Sequence, residues 1–326
     1  MTISLTVELE TWPLLRPFRI AYHTFEDSRL IRVEVRDGEL VGRGEGGEHP
    51  QLEPLDEGRR RILELEPHVR AGLARSELLA LMPRGPARNA LDCALWDLEC
   101  KRAGQRLWTL CGLPAPRPLT TAYTVGIAPL DEMVADARRM ADYRLLKLKV
   151  DGESGFEVLE AVAAARPDAE FIIDANEGWQ PDQLTTFIQA AARHPVRLIE
   201  QPLSKHQDDA LRGFDSPIPL AADESFHGLP DVARLADRYQ VINIKLDKIG
   251  GLTEALQAAE AARAHGLGVM VGCNNGTSLG IAPAYCLGLL ADYADLDSPL
   301  LLARDRPSAQ TYRDGQVHAP EPVLWG

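Results

Sequence analysis

The amino-acid sequence predicts an α/β protein in which a parallel (β/α)-barrel follows a smaller N-terminal α+β domain. Three observations carry this prediction. The chain has 326 residues, enough for a barrel of about 200–250 residues and one further domain. From Leu119 onward, short apolar segments alternate with amphipathic helical patterns, whereas the first third opens on period-two strands and continues as helix. Between the two parts runs Pro114-Ala115-Pro116-Arg117-Pro118, a stretch that reads as a domain boundary.

In the first part, residues 3–9 and 31–35 alternate apolar and polar side chains and read as antiparallel strands with one wet face. In the longest helical pattern Ala87, Leu91, Leu95 and Leu98 recur at spacings of three and four, and Gly104 supplies a C-terminal stop. The glycine-rich Val41-Gly42-Arg43-Gly44-Glu45-Gly46-Gly47 lacks the GxxxxGK[ST] pattern of a phosphate loop and reads as a tight turn. In the second part, eight strands are expected at 121–125, 145–150, 170–175, 197–201, 220–224, 241–247, 268–273 and 294–297. A doubly wound open sheet uses the same alternation but expects a glycine-rich phosphate turn after its first strand. Here that turn reads Val125-Gly126-Ile127-Ala128-Pro129, which favours the barrel.

Composition removes whole classes of function. With 35 Lys+Arg against 48 Asp+Glu the formal net charge is −13, the wrong sign for nucleic-acid phosphates. Cys93, Cys100, Cys111, Cys273 and Cys286 are odd in number and show no CxxC spacing, against a zinc cluster or a disulfide framework. A reducing cytoplasm is expected, with no signal peptide and no apolar run approaching the ~18 residues of a membrane span. None of the eight histidines has HExxH or paired-ligand spacing. Only His23 and His49 lie in segments that could face a site.

Barrel enzymes gather their chemistry at the C-terminal ends of the strands. Asp174, Glu200 and Asp223 end three successive strands, 26 and 23 residues apart, about one β/α unit each. Buried carboxylates are costly unless paired or bound to metal, and three hard oxygen ligands suit Mg²⁺. Lys149 ends the second strand and Lys245 the sixth, across the barrel. An ion that stabilises an enediolate, with one amine on each face of the same carbon, is the equipment of a racemase or epimerase. Nearby cations are expected to lower the pKa of such a lysine. Lys147 shares a face with Lys149, and Asp295 shares one with Asp297. Lys147 and Lys248 are expected to tune the field or neutralise carboxylates.

At these residues the sequence resembles the enolase superfamily, in the muconate-lactonising-enzyme subgroup, and within it the dipeptide (L-Ala-D/L-Glu) epimerases. The motifs are Lys147-Leu148-Lys149, Asp174-Ala175-Asn176-Glu177, Ile199-Glu200-Gln201-Pro202-Leu203, Ala222-Asp223-Glu224-Ser225 and Asn243 through Gly251, together with the helical segment Ala87 to Asp97. The resemblance implies a modified TIM barrel, (β/α)7β, over 116–326, with a C-terminal segment returning to a capping domain over 1–115. It implies one Mg²⁺ per subunit on Asp174, Glu200 and Asp223, with Lys149 and Lys245 catalytic and Lys248, Asn176 and Glu224 supporting. It also implies a dipeptide substrate touched by Asp295, Asp297, Tyr22, Phe25, Lys147 and Asn274, in a protein compatible with homo-oligomeric assembly. In dipeptide epimerases a DxD pair such as Asp295-Leu296-Asp297 holds the free α-ammonium, which argues against the runners-up, o-succinylbenzoate synthase and cycloisomerase. Relatives that take glutamate second carry an arginine in the capping loop, whereas Ala21-Tyr22-His23-Thr24-Phe25-Glu26-Asp27 has none. Gly272-Cys273-Asn274-Asn275-Gly276-Thr277 likewise lacks a bulky or acidic residue. An apolar or cationic second residue is therefore expected. A Schiff-base aldolase and a non-catalytic binding protein are the readings from other classes.

Overall fold

The computed structural model describes residues 3–151 and 155–326. Near the N-terminus, strands Ser4–Ile20 and His23–Asp37 pair antiparallel, and Leu40–Gly47 adds a third strand along the second. The capping loop read at 21–27 is mostly strand: the chain reverses at Ala21-Tyr22, and Ile20 and Phe18 pair with His23 and Phe25. Aromatic and β-branched residues on both arms favour that extension.

The expected glycine turn at 41–47 is also overturned, because this segment is the third strand. Its glycines leave one face of the strand bare against the helix Pro86–Ala103. A Cβ on Gly42, Gly44 or Gly46 would lie 2.1, 2.0 or 2.1 Å from the carbonyl oxygens of Ala94, Ala90 and Pro86. Two strand residues advance about 6.6 Å and four helical residues about 6 Å, so each glycine meets one turn of the helix. That helix ends at Gly104, which is left-handed at φ 62°. It is buried on nearly every side, between the N-terminal sheet and the barrel. The C-terminal tail reaches the same helix, where Trp325 Nε1 donates to Cys93 O at 3.1 Å and Gly326 N to Asp97 Oδ1 at 2.7 Å.

All eight expected strands form one parallel sheet in chain order: Tyr123–Val125, Leu145–Lys149, Glu170–Asp174, Val196–Glu200, Leu220–Ala222, Val241–Lys245, Gly268–Gly272 and Tyr293–Ala294. Its two edges meet: Ala122 N donates to Ala294 O at 2.9 Å and Leu296 N to Thr121 Oγ1 at 2.8 Å, closing the barrel. Helical segments such as Leu130–Arg139 and Leu252–Ala264 wrap the outside. Inside, Ala122, Leu145, Ile172, Leu198, Ala221, Val241 and Met270 pack into an apolar floor. Two residues further along each strand, the same inward face carries Thr124, Lys147, Asp174, Glu200, Asp223, Asn243 and Gly272. Period-two alternation thus places a polar layer directly on an apolar one. Among the described residues no helix is long and apolar enough to cross a membrane.

Candidate active site

The polar layer is nearly dry, so every charge in it needs a partner. Lys147, 1% exposed, lies at its centre. Its Nζ is 3.0 Å from Asp174 Oδ2, 2.8 Å from Glu200 Oε2 and 2.8 Å from Asp295 Oδ2. One strand turn higher, Lys149 Nζ donates to Asp174 Oδ2 at 2.6 Å and to Asn176 Oδ1 at 3.0 Å. From the other side Lys245 Nζ meets Asp223 Oδ2 at 2.8 Å, while Lys248 Nζ grips the second oxygen of the same carboxylate. Asn243 Nδ2 donates to Glu200 Oε1 at 2.9 Å, and Asn176 Nδ2 to Glu224 Oε1 at 3.0 Å.

These contacts divide the carboxylates into two kinds. Burial raises the pKa of Asp174, but Lys147 and Lys149 outweigh it and hold the group to about 2. Asp223 is likewise buried, and Lys245 and Lys248 hold it well below the ordinary range. Glu200 is pushed up to about 7 by burial and by Asp174. Glu224 is pushed to about 8 by burial and by Asp223. Burial and Asp295 push Asp297 up to about 7, and its recorded donor is the Thr124 backbone N–H at 2.5 Å. The expectation of a lowered lysine fails at Lys245. Burial lowers it most and Lys147 adds to that, yet Asp223, whose oxygen touches the ammonium, together with Glu200 and Asp174 raises it by more. Lys248 is lowered, by burial first.

A cleft of about 800 Å³ opens above this floor. Lys147, Lys149, Asn176, Asp223, Glu224, Lys245, Lys248, Asn274, Asp295, Asp297, Tyr22 and Phe25 all line it. Asp174 and Glu200 lie beneath it, screened by Lys147 and wholly buried. Among the described residues, no three acidic, histidine or cysteine side chains converge as a ready-made metal cluster. The ammonium groups of Lys147 and Lys149 stand between them instead.

Sequence reasoning missed several residues here. Thr124 and Asn243 belong to the inward period-two rows and were discoverable from them. Gln201 was quoted in a motif without a role, yet its Oε1 accepts from Asp223 N at 2.9 Å and from Ser225 N at 3.0 Å. His49, by contrast, is one of the two histidines expected in segments that could face a site, and it reaches the cleft from the segment after the third strand, with its Nε2 3.3 Å from Tyr22 Oη. Burial and then Lys245 press its pKa down to about 3, so it is a neutral imidazole. His23 does not line the cleft; with Glu26, Asp27 and Glu48 it lines a separate outer groove.

Residues 2–112 match the mandelate racemase / muconate lactonizing enzyme N-terminal domain, and residues 132–323 match the enolase C-terminal domain-like family. The chain is 41% identical over 312 residues to an L-Ala-D/L-Glu epimerase of Escherichia coli strain K12, covering 95% of this chain and 97% of that one. Among solved structures it is similar to an enolase family member from Agrobacterium tumefaciens with homology to dipeptide epimerases, which holds sodium and L-Ala-L-Glu. That similarity has a TM-score of 0.96 and 43% identity, over 99% of this chain and 100% of that one. A dipeptide epimerase from Methylococcus capsulatus, complexed with Mg and L-Arg-D-Lys, matches with a TM-score of 0.91 and 30% identity, over 100% of this chain and 99% of that one. With both domains matched and near-complete coverage of such relatives, the chain belongs to the enolase superfamily, in its mandelate racemase / muconate lactonizing enzyme family.

Proposed function

We propose that this protein is a Mg²⁺-dependent dipeptide epimerase that inverts the α-carbon of the C-terminal residue by proton transfer between Lys149 and Lys245. The observation that carries the reading is the placement of two lysines on the second and sixth barrel strands, over one floor of carboxylates. The relatives' dipeptide ligands and epimerase activities support it. Residues 1–115 then act as the cap and 116–326 as the catalytic barrel. The free state of all five cysteines supports a reducing, cytoplasmic setting.

The donor set fits the metal. With all six carboxyl groups ionised (Asp174, Glu200, Asp223, Glu224, Asp295, Asp297), they exceed the four ammonium groups (Lys147, Lys149, Lys245, Lys248) by the charge of one divalent ion, and Glu200 and Glu224 are held up to about 7 and 8 in its stead. Glu224 Oε2 is buried with no hydrogen-bond partner among the described residues, and Glu200 Oε2 meets only the Lys147 ammonium, 2.8 Å away. Asp174, Glu200 and Asp223 would hold Mg²⁺, which when bound would supply a Lewis acid for the charge that grows on the substrate carboxylate and would compete with Lys245 for the charge of Asp223. The amine of one lysine takes the α-proton, and the ammonium of the other returns one to the opposite face. Asp297 binds the substrate ammonium, with Asp295 held in place by Lys147. Phe18, Ile20, Phe25, Leu52 and Leu301 line the outer cleft, which favours an apolar second residue.

The test is incubation with Mg²⁺ in D₂O against a panel of L,L-dipeptides, reading mass gain and chirality of the second residue. Deuterium with inversion at that carbon is expected, fastest for apolar second residues. L-Ala-L-Glu as the best substrate overturns the side-chain assignment, and no exchange with any dipeptide overturns the reaction.

Asp297 also sets a pH dependence. Its carboxyl is raised from an ordinary 3.8 to about 7, so its contribution to the stability of the free protein is present at low pH and lost as pH rises through about 7. An ammonium ligand needs the ionised form. KM for a dipeptide should therefore fall about fivefold from about pH 6 to 7, then rise above about pH 8 as the peptide amine itself deprotonates. Asp297→Asn should weaken binding and flatten the lower limb of the profile. A wild-type profile without that limb sinks the assignment.

A further inference from the structure

The segment Ala87 to Asp97 lies outside the cleft, yet one face of its helix carries Arg88, Asn89 and Asp92, all almost completely buried. Burying three such side chains is costly unless each is satisfied. Each is satisfied largely by the turn that follows Lys245. Asn89 Nδ2 donates to Asp247 Oδ1 at 2.8 Å, and the Gly47 N–H of the third strand reaches the same oxygen at 3.1 Å. Arg88 Nε donates to Gly250 O at 2.9 Å. Asp92 accepts from Thr253 N at 2.9 Å and Thr253 Oγ1 at 2.6 Å, and Trp96 Nε1 adds a bond to that hydroxyl at 3.0 Å. The fit is tight. Gly250 and Gly251 hold φ of 76° and 122°, and a Cβ on them would lie 2.4 Å from Arg88 Nε and 2.5 Å from Asp92 Oδ2.

Lys245 stands two residues before Asp247, at the last strand position before this gripped turn. Among the described residues its side-chain hydrogen-bond partner is Asp223. Proton transfer demands an amine within about 3–3.5 Å of the α-carbon, and a misplacement near 1 Å costs about a hundredfold. Among the described residues Lys149 has no such tether to this helix; its bonds go to Asp174 and Asn176.

We infer that the helix Pro86–Ala103 positions Lys245, with Asn89 as the principal positioning residue acting through Asp247. This rests on the reading of Lys149 and Lys245 as the two proton-transfer groups. Net epimerisation cannot reveal the asymmetry, because both directions pass through both lysines. Solvent exchange can: each epimer washes in deuterium through the one lysine that takes its proton.

The experiment measures α-deuterium incorporation into each epimer separately, for the Mg²⁺-loaded full-length protein. Lys245→Ala first identifies the epimer that depends on Lys245. In Asn89→Leu, exchange of that epimer should fall about 30- to 100-fold, while exchange of the other stays within about threefold. Trp96→Phe, which removes one bond to the turn and keeps an aromatic ring, should show the same bias at about fivefold, and serves if Asn89→Leu does not fold. Leu95→Ala, which opens the apolar core on the sheet side of the helix, should slow both epimers alike. Equal changes for the two epimers in Asn89→Leu and Trp96→Phe overturn the positioning role. Absence of dipeptide exchange in the wild type, or exchange of both epimers by Lys245→Ala, overturns instead the reading on which it rests.

Discussion

Replacing Lys149 by alanine is expected to lower the epimerisation rate by about 10³- to 10⁴-fold, at the upper end of what a single acid–base group contributes. The side chain ends above the carboxylate floor, with Nζ 2.6 Å from Asp174 Oδ2 and 3.0 Å from Asn176 Oδ1. Its loss leaves Asp174 with Lys147, whose Nζ remains 3.0 Å away, so the floor keeps a buried cation and the barrel should still fold. That separation allows a sharper variant. Lys149→Arg preserves the positive charge over Asp174, but a guanidinium does not give up its proton near neutral pH. If Lys149 transfers protons, arginine should be as inactive as alanine. If it only neutralises Asp174, arginine should restore most of the activity. In both variants the epimer whose proton Lys245 takes should still exchange with D₂O. More than a tenth of wild-type turnover in Lys149→Ala would remove it from the reaction.

The same lysine shows what the sequence could disclose. Strand alternation fixes which side chains face inward, and so Lys147, Lys149, Asp174, Glu200, Asp223 and Lys245 could be assigned to one face without coordinates. The rule extends to Thr124 and Asn243, which sit in the same rows two residues from a neighbour already read. Contacts between the N-terminal domain and the barrel obey no local period. Asn89 reaches Asp247 through a pairing of residues 158 positions apart. Glycine misled at 41–47, where it signals close approach to a helix as well as it would a turn. Pro13 and Pro17 interrupt the alternation where the first strand shifts register, between Pro13 and Phe18, and so hid half of the hairpin. The charge state of Lys245 lay beyond sequence for a different reason: it depends on burial and on the carboxylates of three other strands, the nearest oxygen 2.8 Å away.

Removing the divalent ion is expected to have an effect as large as losing a lysine. The argument is one of charge. Glu200 and Asp174 are wholly buried and Asp223 nearly so, and the four ammonium groups nearby cannot balance six carboxyl groups once all are ionised. Taking an α-proton adds a further negative charge to the substrate in the same dry volume, and a Lewis acid contributes several kcal/mol to stabilising it. Dialysis against chelator should therefore depress activity by about 10³-fold or more, and Mg²⁺ should restore it. Because the ion binds the folded form, it should also raise the thermal midpoint, by the equivalent of about 2.7 kcal/mol at a hundred times its Kd. Glu200→Gln tests whether the floor is responsible. It keeps the shape and the place beside Asn243 but removes one charge, so it should weaken Mg²⁺ binding and shrink the thermal shift while leaving the fold intact. Full activity in chelator would exclude the metal reading and direct attention to Schiff-base chemistry, which borohydride trapping with a carbonyl substrate would detect at Lys149 or Lys245. Restoration by Mg²⁺ without any thermal shift in either protein would place the ion on the substrate rather than on Asp174, Glu200 and Asp223.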